Sequence, residues 1–190
     1  MSVKIILASA SPRRKEIMEM AGYEFEIRTC DTAEETSYTK PDEIVKDLSA
    51  IKARAVMDIT DENKAIVIGA DTIVWNDGKV LGKPKDEEDA YAMIQSISGK
   101  CHEVYTGVTI IKKENGQMAE KSFAVCTKVY VNELTHQQIL DYLATNESYD
   151  KAGGYAVQGI FSRHIGKLEG DYFNVVGLPI SKVYEELMKE

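Results

Sequence analysis

The chain has 190 residues, 44% of them apolar and 28% charged, with a formal net charge of −8. That length and balance suit one domain with a real core and argue against disorder, while four prolines and thirteen glycines remove collagen-like and low-complexity readings. An acidic chain has no general attraction for DNA or RNA, although a small anion can still be held locally.

In chain order, the apolar run Val3 to Ala8 reads as a strand that ends in small polar residues. Ala8-Ser9-Ala10 superficially resembles a signal-peptidase site, but only Ile5-Ile6-Leu7 precede it as an apolar core, against the about 7–15 residues such a segment needs. Ser11 and Pro12 then open a helix with Ile17, Met18 and Ala21 inside, stopped by Gly22. Tyr23 to Thr29 alternates like a half-buried strand, and residues 30–40 are a polar, acidic loop. From Pro41 to about Ile59, the positions Ile44, Val45, Leu48, Ile51, Ala55, Val56 and Ile59 form a helical stripe. Ala65 to Ala70 is a central strand that runs through Asp71-Thr72 to Trp75 and turns at Asn76-Asp77-Gly78. Asp86 caps a helix containing Ala90, Met93, Ile94 and Ile97, which ends near Gly99.

Glu103 to Lys112 and Gln117 to Val131 read as long strands joined at Asn115-Gly116, and Thr135 to Gln138 is a capping box that opens a helix with Ile139, Leu140 and Leu143 buried. Residues 150–178 are Gly-rich and irregular, with strand candidates near Ala156 and Tyr172, before Pro179 begins a terminal helix. The alternation predicts one α/β domain over 1–190 with a mixed sheet. No run approaches a membrane span. Cys30, Cys101 and Cys126 are odd in number with no CxxC spacing, which fits a reducing cytosol and predicts a cytoplasmic protein.

Several clusters could carry chemistry. In Ser9-Ala-Ser-Pro-Arg13-Arg14, two arginines in the first turn oppose the helix macrodipole, and a bound anion would reverse that sign. The segment alone fits a phosphate site and a plain helix start equally well. At 100° per residue from Ile44, Lys52 falls at about 80°, between Leu48 at about 40° and Val45 at about 100°, so its ammonium must snorkel or meet an anion. Asp71 is an acid at the break of an apolar strand, and Lys83, between Gly82 and Pro84, follows one tight hairpin later. Glu34-Glu35 stand in the polar loop, and Tyr149 to Gly159 flank an acid, a base, a Tyr and Gln158 with glycines. No P-loop, G-x-G-x-x-G, H-E-x-x-H or G-x-S-x-G occurs. Cys101 and His102, adjacent on a strand, point to opposite faces and cannot form a nucleophile pair. His136 and His164 stand in polar surroundings without metal-ligand spacing.

Six blocks in order, Leu7-Ala-Ser-Ala-Ser-Pro-Arg-Arg14, Ile68-Gly-Ala-Asp-Thr72, Leu81-Gly-Lys-Pro84, Ser98-Gly99 through Thr106-Gly107, Asp150 to Gly159, and Gly170-Asp-Tyr to Pro179, resemble the Maf family of nucleoside triphosphate pyrophosphatases along nearly the whole chain. The resemblance implies an elongated α/β fold shared with inosine triphosphatase-like enzymes, a mixed sheet flanked by helices with a central cleft, and hydrolysis of a nucleoside triphosphate to the monophosphate and pyrophosphate. It implies Asp71 as proton acceptor, with Glu35 (or Glu34 in the neighbouring register) and Lys83 as catalytic partners. Ser9, Arg13, Arg14 and Lys52 become polar substrate-binding residues, and Arg13, Thr72 and Gln158 match the base-reading set of the dTTP/UTP branch. Asp71 and Glu35 would share a divalent cation, Mg²⁺ or Mn²⁺, since Mg²⁺ takes few carboxylates plus phosphate oxygens. The resemblance further implies a homodimer, with a nucleotide as partner and neither nucleic acid nor membrane. The alternatives are a nucleotide-binding regulator of septum formation and a pyrophosphatase for other modified nucleotides such as 7-methyl-GTP.

Overall fold

The sheet is mixed because its first crossovers are helical and two of its later connections are tight hairpins. In the computed structural model, which describes residues 3–189, β1 (Lys4–Leu7) lies parallel to both β2 (Glu26–Ile27) and β3 (Lys64–Asn76). The helices α1 (Pro12–Met20) and α2 (Pro41–Asp58) make the crossovers. Beyond Asn76, β3 turns back into β4 (Lys79–Leu81) through Asp77 and Gly78, both at positive φ (48° and 78°), the hairpin geometry that Asp-Gly favours. Asn115 and Gly116 make the same turn between β5 (Cys101–Glu114) and β6 (Gln117–Val131). With β7 (Ile165–Glu169) antiparallel to β6, the strand order is β2-β1-β3-β5-β6-β7, and β4 pairs with β3 off this path.

Two compact units divide the chain, and the division falls inside β3, β5 and β6. The first comprises Met1–Asp71, Thr106–Val125 and Gly177–Glu190 and carries α1, α2 and the terminal α6 (Ile180–Leu187). Its sheet residues Ile6, Val67 and Ile111 pack against Ala53, Val56 and Met57 of α2. Two glycines set how closely α2 lies on the strands. A Cβ on Gly69 would stand 2.4 Å from the Ser49 carbonyl oxygen, and one on Gly107 would stand 2.1 Å from that of Val45. Both neighbours are helix backbone, which cannot swing aside. Ile59, placed by periodicity in the apolar stripe, is the C-cap of α2 and is exposed.

The second unit, Thr72–Tyr105 with Cys126–Val176, holds α3 (Glu87–Ile97), α4 (His136–Leu143) and α5 (Tyr172–Val176). Asp86 caps α3 through the Asp89 amide, and the Thr135/Gln138 capping box closes both ways at the start of α4. Ile94, Ile97, Val129, Ile139, Tyr142 and Phe161 form its core. Each such fully buried side chain contributes about 1.5–3 kcal/mol.

Three local expectations change. The strand drawn over 23–29 shrinks to Glu26–Ile27; no strand forms at Ala156; and Tyr172 opens a helix, the strand of that region being Ile165–Glu169. His164 is buried rather than polar-facing, with its ring against Phe161 at 5.5 Å between centroids. Asp171 explains Tyr172: its carboxylate accepts the amides of Phe173 and Asn174, the arrangement that starts a helix. No helix among the described residues is long and apolar enough to cross a membrane.

Two measurements check this packing. Gly69→Ala forces α2 away from β3 and should lower the unfolding free energy by about 1–3 kcal/mol in a denaturant titration, the range for overpacking. His102 is the second. It faces the core opposite the exposed Cys101, hydrogen-bonded to Tyr155 Oη at 2.6 Å, and burial pushes its imidazole down to about 4. A base whose folded pKa lies below its unfolded value binds its proton preferentially in the unfolded chain, so stability is lost as pH falls through the window from about 6.5 to about 4. Stability should fall by about 2 kcal/mol more between pH 7 and pH 5 in the parent than in His102→Phe, measured by denaturant unfolding at both pH values.

Candidate active site

Where β1 ends, the Ala8 amide still donates to the Ile68 carbonyl at 2.8 Å, so the chain leaves the sheet at Ser9. Ser9 is buried, and its hydroxyl oxygen accepts the Ser11 amide at 3.3 Å and Arg14 Nη1 at 3.0 Å. Arg14 Nε donates to the Gly177 carbonyl at 2.9 Å, which braces the guanidinium from a second segment. Burial lowers its pKa from the ordinary arginine value, opposed by the charges of Asp71 and Glu34. The start of α1 carries no side-chain cap bond and no acid in its first turn. Its first amides therefore add to the positive field of Arg14 and the half-buried Arg13.

The acid lies on the neighbouring strand. Asp71 of β3 is buried, two residues beyond Gly69, where α2 presses on the strand. That closeness brings Lys52 within reach: its Nζ stands 2.6 Å from Asp71 Oδ1 and 2.9 Å from Glu34 Oε2. Lys52 thus meets anions rather than snorkelling, and its side chain keeps 17% of its exposure. Of the two loop glutamates, Glu34 is the one whose carboxylate meets Lys52. Glu35 is exposed and makes no ion pair among the described residues. Ser9, Arg14, Lys52, Asp71 and Glu34 therefore form one linked polar cluster within the first unit.

Thr72, Lys83 and Gln158 belong to the second unit. Lys83 and Gln158 are exposed, and Thr72 is half-buried. The Gly153 amide donates to the Gly82 carbonyl at 2.9 Å, which ties the loop before Lys83 to the Gly-rich segment. Gly153 stands at φ 69°, where its missing side chain also spares Val74. Sequence reasoning did not foresee the Gly177 carbonyl as a brace for Arg14. A backbone acceptor 163 positions away leaves no side-chain signal.

Two carboxylates already converging on one ammonium are a donor set that suits a hard divalent cation completed by phosphate oxygens and water. No group of three or more His, Cys, Asp or Glu that could hold a metal occurs among the described residues.

In this α/β fold, Arg14 at a strand-to-helix turn stands in the field of a buried, lysine-paired aspartate, an arrangement that can hold an anion. The sequence profile described as Maf-like protein matches residues 4–190, and the chain belongs to that family. It is 48% identical over 187 residues to the dTTP/UTP pyrophosphatase of Lachnoclostridium phytofermentans, covering 98% of this chain and 94% of that one. The dTTP/UTP pyrophosphatases of a Thermoanaerobacter species (46% identity; 99% and 97% covered) and of Bacillus cereus (46%; 97% and 94%) are similar over nearly full length. Among solved structures, a nucleoside-triphosphatase described as a dITP/XTP pyrophosphatase from Mycobacterium abscessus aligns over 97% of this chain and 93% of its own, with a TM-score of 0.45 and 13% identity.

If Lys52 is held by charge, Lys52→Met should cost about 1–3 kcal/mol of stability, because it leaves a buried carboxylate unpaired. The double variant Lys52→Met/Asp71→Asn should recover most of that loss. A double-mutant cycle from urea unfolding measures the coupling, and simple additivity would show that the pair contributes nothing.

Proposed function

We propose that this protein is a nucleoside triphosphate pyrophosphatase that hydrolyses dTTP and UTP to the monophosphate and pyrophosphate. The observation that carries the reading is the buried Asp71 carboxylate, linked through Lys52 to Glu34 and standing in the field of Arg14. The full-length relatives named dTTP/UTP pyrophosphatase support the choice of base.

In the proposed reaction, Asp71 accepts a proton from a water that attacks the α-phosphorus. The bond from that phosphorus to the oxygen bridging to the β-phosphorus breaks, and the pyrophosphate departs with the bonding electrons. Arg13 and Arg14, with the uncapped amides of α1, offset the charge of the phosphates, and Ser9 holds Arg14 in register. Lys52 holds the Asp71 carboxylate in place before substrate arrives. Asp71 and Glu34 would hold a divalent cation, Mg²⁺ or Mn²⁺, which supplies charge neutralisation on the phosphate oxygens. Lys83 is assigned to the phosphates, and Thr72 and Gln158 to the pyrimidine edge, with Arg13 completing the specificity set.

Uracil and thymine differ by one methyl group, worth only about 1–3 kcal/mol, whereas a site that hydrogen-bonds the pyrimidine edge rejects other edges more strongly. Tolerance of both dTTP and UTP follows. Three free cysteines accord with a reducing cytoplasm, and the reading includes a homodimer, whose mass in solution would be twice 21.2 kDa.

The decisive assay supplies Mg²⁺ and a panel of dTTP, UTP, CTP, ATP, GTP, ITP and 7-methyl-GTP, scoring pyrophosphate separately from orthophosphate. Pyrophosphate should come from dTTP and UTP, and Asp71→Asn should lower kcat by about 10²–10⁴-fold. Turnover of 7-methyl-GTP or ITP instead would keep the chemistry and overturn the base assignment. Nucleotide binding without any pyrophosphate would favour the regulator of septum formation.

A further inference from the structure

We infer that Glu147 is a positioning residue for base selection: its carboxylate fixes the backbone at Gly159–Ile160 and thereby the orientation of Gln158. This rests on the assignment of Gln158 to the base.

Gln158 is exposed on a short span between two buried aromatic anchors of the second unit. Upstream, Tyr155 is buried; downstream, Phe161 is fully buried, and its ring lies 4.9 Å from those of both Tyr142 and Tyr155. The anchors settle where the span begins and ends, not how its middle runs. There the Glu147 carboxylate intervenes, with Oε2 accepting the Ile160 amide at 2.8 Å.

Glu147 is itself braced. After α4, Thr145 Oγ1 donates to the Tyr142 carbonyl at 2.6 Å, Asn146 turns the chain at φ 59°, and the Glu147 amide donates to Thr145 Oγ1 at 3.4 Å. On the facing side, a Cβ on Gly159 would fall 2.4 Å from Glu147 Oε1 and 2.6 Å from Oε2. Gly159 is extended, at φ 173°, so its lack of a side chain serves space and not backbone freedom. The carboxylate lies flat on the residue that follows Gln158, in a gap only glycine leaves.

A second observation marks this contact as more than a fastening. Glu147 Oε1 is buried without a hydrogen-bond partner among the described residues. A buried acceptor left unpaired costs stability. The cost is understandable if the group serves to hold the Gln158 span in one geometry, because a base-reading amide displaced by an ångström loses its hydrogen bonds.

The test compares Glu147→Ala, Glu147→Gln, Gly159→Ala and Gln158→Ala by the ratio of kcat/KM for UTP to that for CTP and for ATP, with inhibition by pyrophosphate as a readout of phosphate binding. Glu147→Ala and Gly159→Ala, which break the same contact from opposite sides, should each lower the UTP preference about tenfold through KM, leaving pyrophosphate inhibition unchanged. Glu147→Gln, which keeps an acceptor for the Ile160 amide, should restore most of the preference. In a Gln158→Ala background, Glu147→Ala should add nothing further. If Gln158→Ala loses the preference while Glu147→Ala and Gly159→Ala keep it, the inference fails and the base assignment stands. If Gln158→Ala itself keeps the preference, that assignment fails and takes the inference with it. An equal loss of turnover on every nucleotide would mark Glu147 as merely structural.

Discussion

The distance between α2 and its strands is set by two residues with no side chain. At Gly69 and Gly107 the helix backbone sits where a Cβ would have to be, and the missing side chains let α2 lie close over β3 and β5 there. The polar cluster depends on that approach. Asp71 follows Gly69 by two residues, and Lys52 follows Ser49, the helix residue over Gly69, by three. A helix held a side chain's width further off would leave the Asp71 carboxylate buried without its ammonium, a costly state in a low dielectric. Packing and electrostatics are therefore one constraint here: the glycines fix a distance, and the distance fixes an ion pair.

Charge in the first unit is arranged against the trend of the whole chain. The protein carries a net −8, yet its strand-to-helix turn collects Arg13 and Arg14 at the start of a helix with no side-chain cap bond. Arg14 is held by the Ser9 hydroxyl and by the distant Gly177 carbonyl. Asp71 and Glu34 are engaged by Lys52. The result places a buried carboxylate and a buried guanidinium within one field in the first unit.

The second unit solves a different problem. Its Gly-rich segment would be loose if left to its own composition, and it is fixed by aromatic burial and backbone pairing. Tyr142 donates to the Gly154 carbonyl at 3.0 Å, the rings of Tyr142 and Tyr155 pack tilted against that of Phe161 in the core, and Gly153 pairs with Gly82. Rigid anchors at both ends of a short polar span are how a loop can present one amide reproducibly.

Much of this was legible without coordinates, because it is local. The Ser-Pro start of α1, the Asp86 cap, the Thr135 capping box and the Asp-Gly and Asn-Gly turns each rest on contacts within four residues, and each forms where the pattern places it. Periodicity also put Lys52 on the inner face of α2, and the chain's motifs named its family. Tertiary structure decided the rest. Which of Glu34 and Glu35 meets Lys52 depends on how an irregular loop crosses a helix 17 to 18 residues further along the chain, and periodicity says nothing of loops. The brace of Arg14 by the Gly177 carbonyl and the seat of Glu147 on Gly159 are contacts to backbone, which carries no residue identity to read. Sequence by itself determined which side chains were present at element starts and on helix faces. Only folding determined which of them share a partner, because that is fixed by distances between segments, and those distances are set by packing.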